Sequence, residues 1–120
     1  MEKTIEIDGR DVKFKATGAT IRLYRQIYHR DILMDMTRLQ KETADDSKPL
    51  SGETLNIFEN IAYLMAKQAD PNVPDTADEW LDQFDMFSIY RILPQIIALW
   101  GVNTASLSES KKKALGQTGL

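Results

Sequence analysis

Apolar and polar side chains alternate at the start of the chain. Ile5 and Ile7 alternate with Thr4, Glu6 and Asp8, and Val12, Phe14 and Ala16 alternate with Lys13 and Lys15. A period of two predicts strands with one buried face. Between them lies Asp8-Gly9-Arg10-Asp11, where Gly9 can take the positive φ that tight hairpin turns need. A loop of Gly9 and Arg10 sets Ile7 opposite Val12 and Ile5 opposite Phe14, making one face wholly apolar. A loop one residue longer or shorter would set apolar against polar. A lone hairpin is marginal in water, so its apolar face must lie on something, for which a helix is expected.

The period then changes to that of a helix. Thr17-Gly18-Ala19-Thr20 supplies turn and N-cap residues. Ile21, Tyr24, Tyr28 and Ile32 follow at helical spacing, with Leu23, Ile27 and Met34 slightly around the cylinder, and Met36 and Leu39 continue the face. The pattern predicts one long helix whose opposite side carries Arg22, Arg25, Arg30, Asp35 and Arg38. Gln40 to Gly52 is polar and acidic, contains Pro49, and is expected to be a mobile loop. Ser51 can cap a second helix with a stripe of Leu55, Phe58, Ile61, Ala62, Met65 and Ala69, which Pro71 and Pro74 end. Thr76-Ala77-Asp78-Glu79 reads as a capping box ahead of Trp80, Leu81 and Phe84.

From Met86 to Trp100, eleven of fifteen positions are apolar and lie around most of a cylinder. Pro94 inside the run predicts a kink or a break. Met86, Ile89, Leu93, Ile97 and Trp100 form one stripe, taken as core. Phe87, Ile92, Ile96 and Leu99 form a second. A small domain covers only part of one helix, so a stripe is left to meet another chain; Phe87, Ile92, Ile96, Leu99 and Trp100 are the expected partner-binding residues. The fold class that follows is α+β and mainly helical, an N-terminal β-hairpin packed on a bundle of three to four helices. Residues 1–103 form the single domain and 104–120 a flexible polar tail carrying Lys111-Lys112-Lys113.

Composition narrows the chemistry. The chain has 120 residues, 42% hydrophobic and 28% charged, the balance of one ordinary globular domain. Its formal charge of −3 gives no global basic surface for nucleic acid. The start lacks the apolar stretch of a signal peptide, and no run is long enough to span a membrane. A soluble, intracellular protein is expected. Without cysteine, disulfides, thiolate nucleophiles and Cys-ligated metals are excluded.

Catalysis finds little support. His29 is the one histidine, and Asp31 two residues away does not share its helix face. Asp31 and Asp35 stand one turn apart, a spacing a divalent ion can use. Arg30 and Arg38 nearby make ion pairs at the surface the better reading. Arg22, Arg25, Arg30 and Arg38 form no continuous stripe, and Asp31 and Asp35 interrupt them. The proline-bearing link from Asp70 to Asp75 is not the short turn of a helix-turn-helix. A small helical DNA-binding transcriptional regulator is therefore only the alternative. No catalytic residue, cofactor or metal is expected.

Two strings carry a family resemblance. Phe14-Lys15-Ala16-Thr17-Gly18-Ala19-Thr20, with Leu23-Tyr24-Arg25 and Arg30-Asp31-Ile32, resembles the tail assembly chaperones of long-tailed phages and prophages of Gram-positive bacteria. Leu81-Asp82-Gln83-Phe84-Asp85-Met86-Phe87-Ser88-Ile89-Tyr90, with Leu93-Pro94 and Leu99-Trp100, is similar to the second half of the same family. The resemblance implies a non-enzymatic protein of the host bacterial cytoplasm, not expected in the mature virion. Its partners would be the tape measure protein, which it keeps soluble, and the major tail protein, which it helps recruit. Self-association is also expected. The family commonly makes a longer product by programmed frameshifting, for which an A-rich codon run at Lys111 to Lys113 would serve.

Overall fold

A computed structural model describes residues 1–100. The hairpin comprises β1 (Glu2–Ile7) and β2 (Arg10–Lys15), an antiparallel pair. Helices follow as α1 (Gly18–Tyr28), α2 (Ile32–Ala44), α3 (Gly52–Ala69), α4 (Ala77–Leu81), α5 (Ser88–Arg91) and α6 over 93–100. The class is α+β, mainly helical, with the hairpin on the helices. Ile5 near one end and Trp100 at the other belong to the same hydrophobic core. The tail beyond residue 103 and its three lysines lie outside the described residues.

The hairpin turn differs from the expected one. Asp8 and Gly9 form the two-residue loop, with φ of 54° and 76°. Ile7 pairs with Arg10, Ile5 with Val12 and Lys3 with Phe14. Positive φ at both loop positions is the type I′ requirement, which Asp and Gly meet and Arg does not. The shift is by two residues, so the apolar face survives: Ile5, Ile7, Phe14 and Ala16 are buried. Arg10 joins that face at its turn end, its guanidinium 5.1 Å from the Phe84 ring centre.

The long first helix is instead two. His29 ends α1 with φ 56° while its N–H bonds to the Arg25 carbonyl at 2.9 Å. Asp31 starts α2 as N-cap, its carboxylate accepting from the Leu33 N–H at 2.9 Å. An Asp at the cap position outbids helix continuation, because it satisfies donors at a new N-terminus. Thr17 and Thr20 form a reciprocal capping box on α1, and the Thr20 hydroxyl also donates to Gln68 of α3. Ser51 caps α3 as read, accepting from the Thr54 N–H at 3.1 Å. Because α2 runs on to Ala44, the acidic connection is shorter than expected.

The central helix is α3. Phe58, Ile61, Ala62, Met65 and Ala66 are fully buried, with Ile57 and Leu64 nearly so. Residues from several faces of α3 are covered because it touches β2, α1, α2 and α4 at once. Pro94 falls in the first turn of α6, where its missing N–H costs no intrahelical bond. The expected break is present, between α5 and α6.

Candidate partner-binding site

The two stripes of the Met86 to Trp100 segment divide differently from the expectation. Ile92 and Ile96 are buried, as is Trp100, whose indole N–H points at the Met65 sulfur at 3.0 Å. Met86, placed in the core by its spacing, is 73% exposed. Phe87 is 63% exposed, and Leu99 is half-buried. Two breaks are the cause: Met86 and Phe87 lie in the turn before α5, outside any helix, and the turn at Ile92 separates α5 from α6, so a continuous helical wheel from Met86 to Trp100 misassigns the faces. Of the five expected partner residues, Phe87 presents itself fully and Leu99 in part, while Ile92, Ile96 and Trp100 hold the monomer together.

Residues outside the expected set build the larger apolar surface. A groove of about 670 Å³ runs between the α2–α3 connection and the last two helices. Leu50 and Pro49 form one wall, Leu93, Pro94 and Ile97 the other, with Tyr90 between them. Tyr90 is fixed by its hydroxyl, which donates to Glu59 of α3 at 2.7 Å. This contact raises the Tyr90 pKa, with burial adding to the effect. Glu42, Asp45, Asp46 and Lys48 rim the groove. Glu42 is itself held by the Thr54 hydroxyl and by Arg38 at 3.5 Å. The sequence signal was present in part: Leu50 follows Pro49 and interrupts a polar run, and Ile97 is the apolar residue three after Pro94.

The charged residues singled out by sequence have structural partners. Asp35 is 5% exposed, not a surface charge. It accepts from the Tyr24 hydroxyl at 2.6 Å and from Arg30 at 2.7 and 2.9 Å. Burial pushes the Asp35 carboxyl up, but these hydrogen bonds outweigh it and leave it below its ordinary value. Burial and the same carboxylate push Tyr24 far up. Arg38 pairs with Glu53 at 2.9 Å and with Glu42 on its own helix, rather than with Asp35. Asp31 caps α2, and His29 is exposed on the linker. Among the described residues, no group of three or more His, Asp or Glu is placed to hold a metal ion.

A second apolar feature sits at the far end of the hairpin. Met86 and Phe87 ride on the turn between α4 and α5, which Asp8 grips from below. The Asp8 carboxylate accepts from the Asp85 N–H at 2.8 Å and from the Ser88 hydroxyl. The Ser88 bond, then the Asp85 bond, lowers the Asp8 pKa. The loop is thereby tied down on both sides of its exposed pair.

The described residues present an apolar groove and an exposed Met-Phe pair on a mainly helical α+β domain. Compared with protein-family models, with curated proteins and with solved structures, the chain finds no match. No helix among the described residues is long and apolar enough to cross a membrane.

Proposed function

We propose that this chain is a non-enzymatic phage tail assembly chaperone. It binds and solubilises the tape measure protein in the host bacterial cytoplasm, helps recruit the major tail protein, and leaves before the virion is complete. The observation that carries the reading is the apolar groove walled by Leu50, Leu93 and Ile97, with Tyr90 fixed in it. A long client rich in helix and apolar surface needs such a counterpart, since an amphipathic helix docks by burying spaced apolar anchors. The two resembling strings support the same reading. Self-association along the client is part of it, through the exposed Met86 and Phe87.

Co-expression with the tape measure protein tests the proposal. The wild-type chain should hold the client in the soluble fraction and co-purify with it. Ile97→Asp and Leu50→Asp should stay folded by circular dichroism yet lose most of that client. An anchor in a desolvated groove is worth about 2 kcal/mol, or roughly thirtyfold in affinity. A wild-type chain that leaves the client insoluble refutes the chaperone reading. Folded variants that bind normally place the client elsewhere.

A further inference from the structure

Charge is sorted along this chain into two blocks. From Val12 to Arg30 there are five Lys and Arg, the one histidine and no acid. From Gln68 to Tyr90 there are six Asp and Glu and no Lys or Arg. Folding does not let the blocks neutralise each other. Among the described residues no ion pair joins them, and Arg22, Arg25, Asp82 and Asp85 enter none at all. All four residues are exposed. The ion pairs that Arg30 and Asp75 do make use Asp35, Glu53 and Lys67, all outside the opposite block.

Each block also carries exposed apolar surface. Ile27, in the last turn of α1, is 54% exposed. Met86 and Phe87 follow Asp85 directly, and Asp82 stands at the end of α4 just before them. The molecule thus has a basic and apolar face on α1 and an acidic and apolar turn ahead of α5. Contact of the turn with its own copy would set Asp82 and Asp85 against the same two carboxylates. Contact of α1 with its own copy would set arginine against arginine. Like charges brought together oppose association. A crossed contact, face on turn, pairs opposite charges and covers apolar surface on both sides.

We propose that the α1 face of one copy docks on the turn before α5 of a second copy. Arg22 and Arg25 meet Asp82 and Asp85, and Ile27 meets Met86 and Phe87. The second copy is the occupant because this chain itself carries both halves of the match, in charge and in apolar content. Such a contact is heterologous: it leaves one face and one turn free at the ends, so copies add beyond a dimer. The inference rests on the self-association in the proposed function, names the surface that Met86 and Phe87 meet, and makes no use of the client.

Sedimentation of the full chain alone tests it, so failure here is read apart from failure to hold a client. The wild-type mass should pass beyond a dimer as concentration rises, and association should weaken in high salt. Arg22→Glu with Arg25→Glu should weaken association by about tenfold or more, and so should Asp82→Lys with Asp85→Lys. Both variants should unfold like wild type, since they change exposed side chains only. An equimolar mixture of the two should associate again, because the acidic α1 face of one now meets the basic turn of the other. The mixture separates a specific contact from a change in net charge. If a reversed variant fails to fold, a spin label carries the test on the wild-type turn. The chain has no cysteine, so Ala19→Cys takes one label, on the exposed first turn of α1. Mixed with isotope-labelled wild type, it should broaden the Phe87 and Ser88 amides of the second copy. A chain that stays monomeric or stops at a dimer would overturn the proposal. So would reversed arginines that associate as wild type does, a mixture that stays apart, or a label that leaves Phe87 and Ser88 sharp.

Discussion

At the residue scale, Asp35 is where local chemistry and fold meet. Its carboxylate joins Tyr24 on α1 and Arg30 on the linker to α2, so it holds the bend between the two helices. An unpartnered Tyr24 hydroxyl would remain if it were lost, whereas the Arg30 side chain is 42% exposed and can turn to water, so the loss costs about 1–3 kcal/mol. Asp35→Ala should destabilise by close to that amount in urea unfolding. The pH dependence has a fixed sign. Asp35 is held below its ordinary value of 3.8 in the fold, so its contribution is present above that value and fades as pH falls. Tyr24 is held above its ordinary value of 10.0, so its contribution is present below pH 10.0 and fades as pH rises through the folded value. Stability of Asp35→Asn should therefore fall less steeply than wild type in acid, and that of Tyr24→Phe less steeply in alkali. Limbs parallel to wild type in both variants would show that the network carries no titrating stability.

At the scale of elements, the core is set by where helices break. Ile92 and Ile96 are buried because α6 restarts after the α5 turn and lies back on α3, with Ile96 fully covered. Ile92→Asp and Ile96→Asp should each abolish folding, since an unpaired buried carboxylate adds to the lost apolar burial. A cooperative unfolding transition in either variant near that of wild type would contradict the packing. What was legible in advance follows from the same physics. Period-two alternation located both strands, the caps Thr17, Ser51 and Thr76 located three helix starts, and Pro94 located a break. Apolar spacing could not see the αL residue His29, because Ile21 to Leu39 stays periodic across it. The tertiary contact of Tyr24 with Asp35 settles that bend. Nor could spacing tell which of two stripes is internal, since the rotation between α5 and α6 is set by packing on α3. The groove residues Leu50 and Ile97 are separated widely in sequence, and only the fold brings them together.

At the scale of the whole molecule, what remains outside the core decides how copies meet. Most large apolar side chains are absorbed; Ile27 on α1 and Met34 on α2 are exposed, and Met86 and Phe87 stand next to each other in solvent on one turn. That turn is pinned by Asp8 from the hairpin, through the Asp85 N–H and the Ser88 hydroxyl. A loop already held loses little entropy on contact, so more of the desolvation gain, about 25 cal/mol per Å² of apolar surface, goes into association. Phe and Met are also the side-chain types that interface centres favour. We therefore expect the wild-type chain to self-associate through this pair, with a sedimentation coefficient that rises with concentration. Phe87→Asp keeps the Asp8 clamp and all buried residues, so it should unfold like wild type yet sediment as a monomer. Asp8→Ala should loosen the turn and weaken association while leaving Phe87 in place, which separates rigidity from apolar contact. If the wild-type chain is monomeric at all concentrations, or Phe87→Asp associates as wild type does, self-association does not use this turn, and copies on a client would be held together by the client alone.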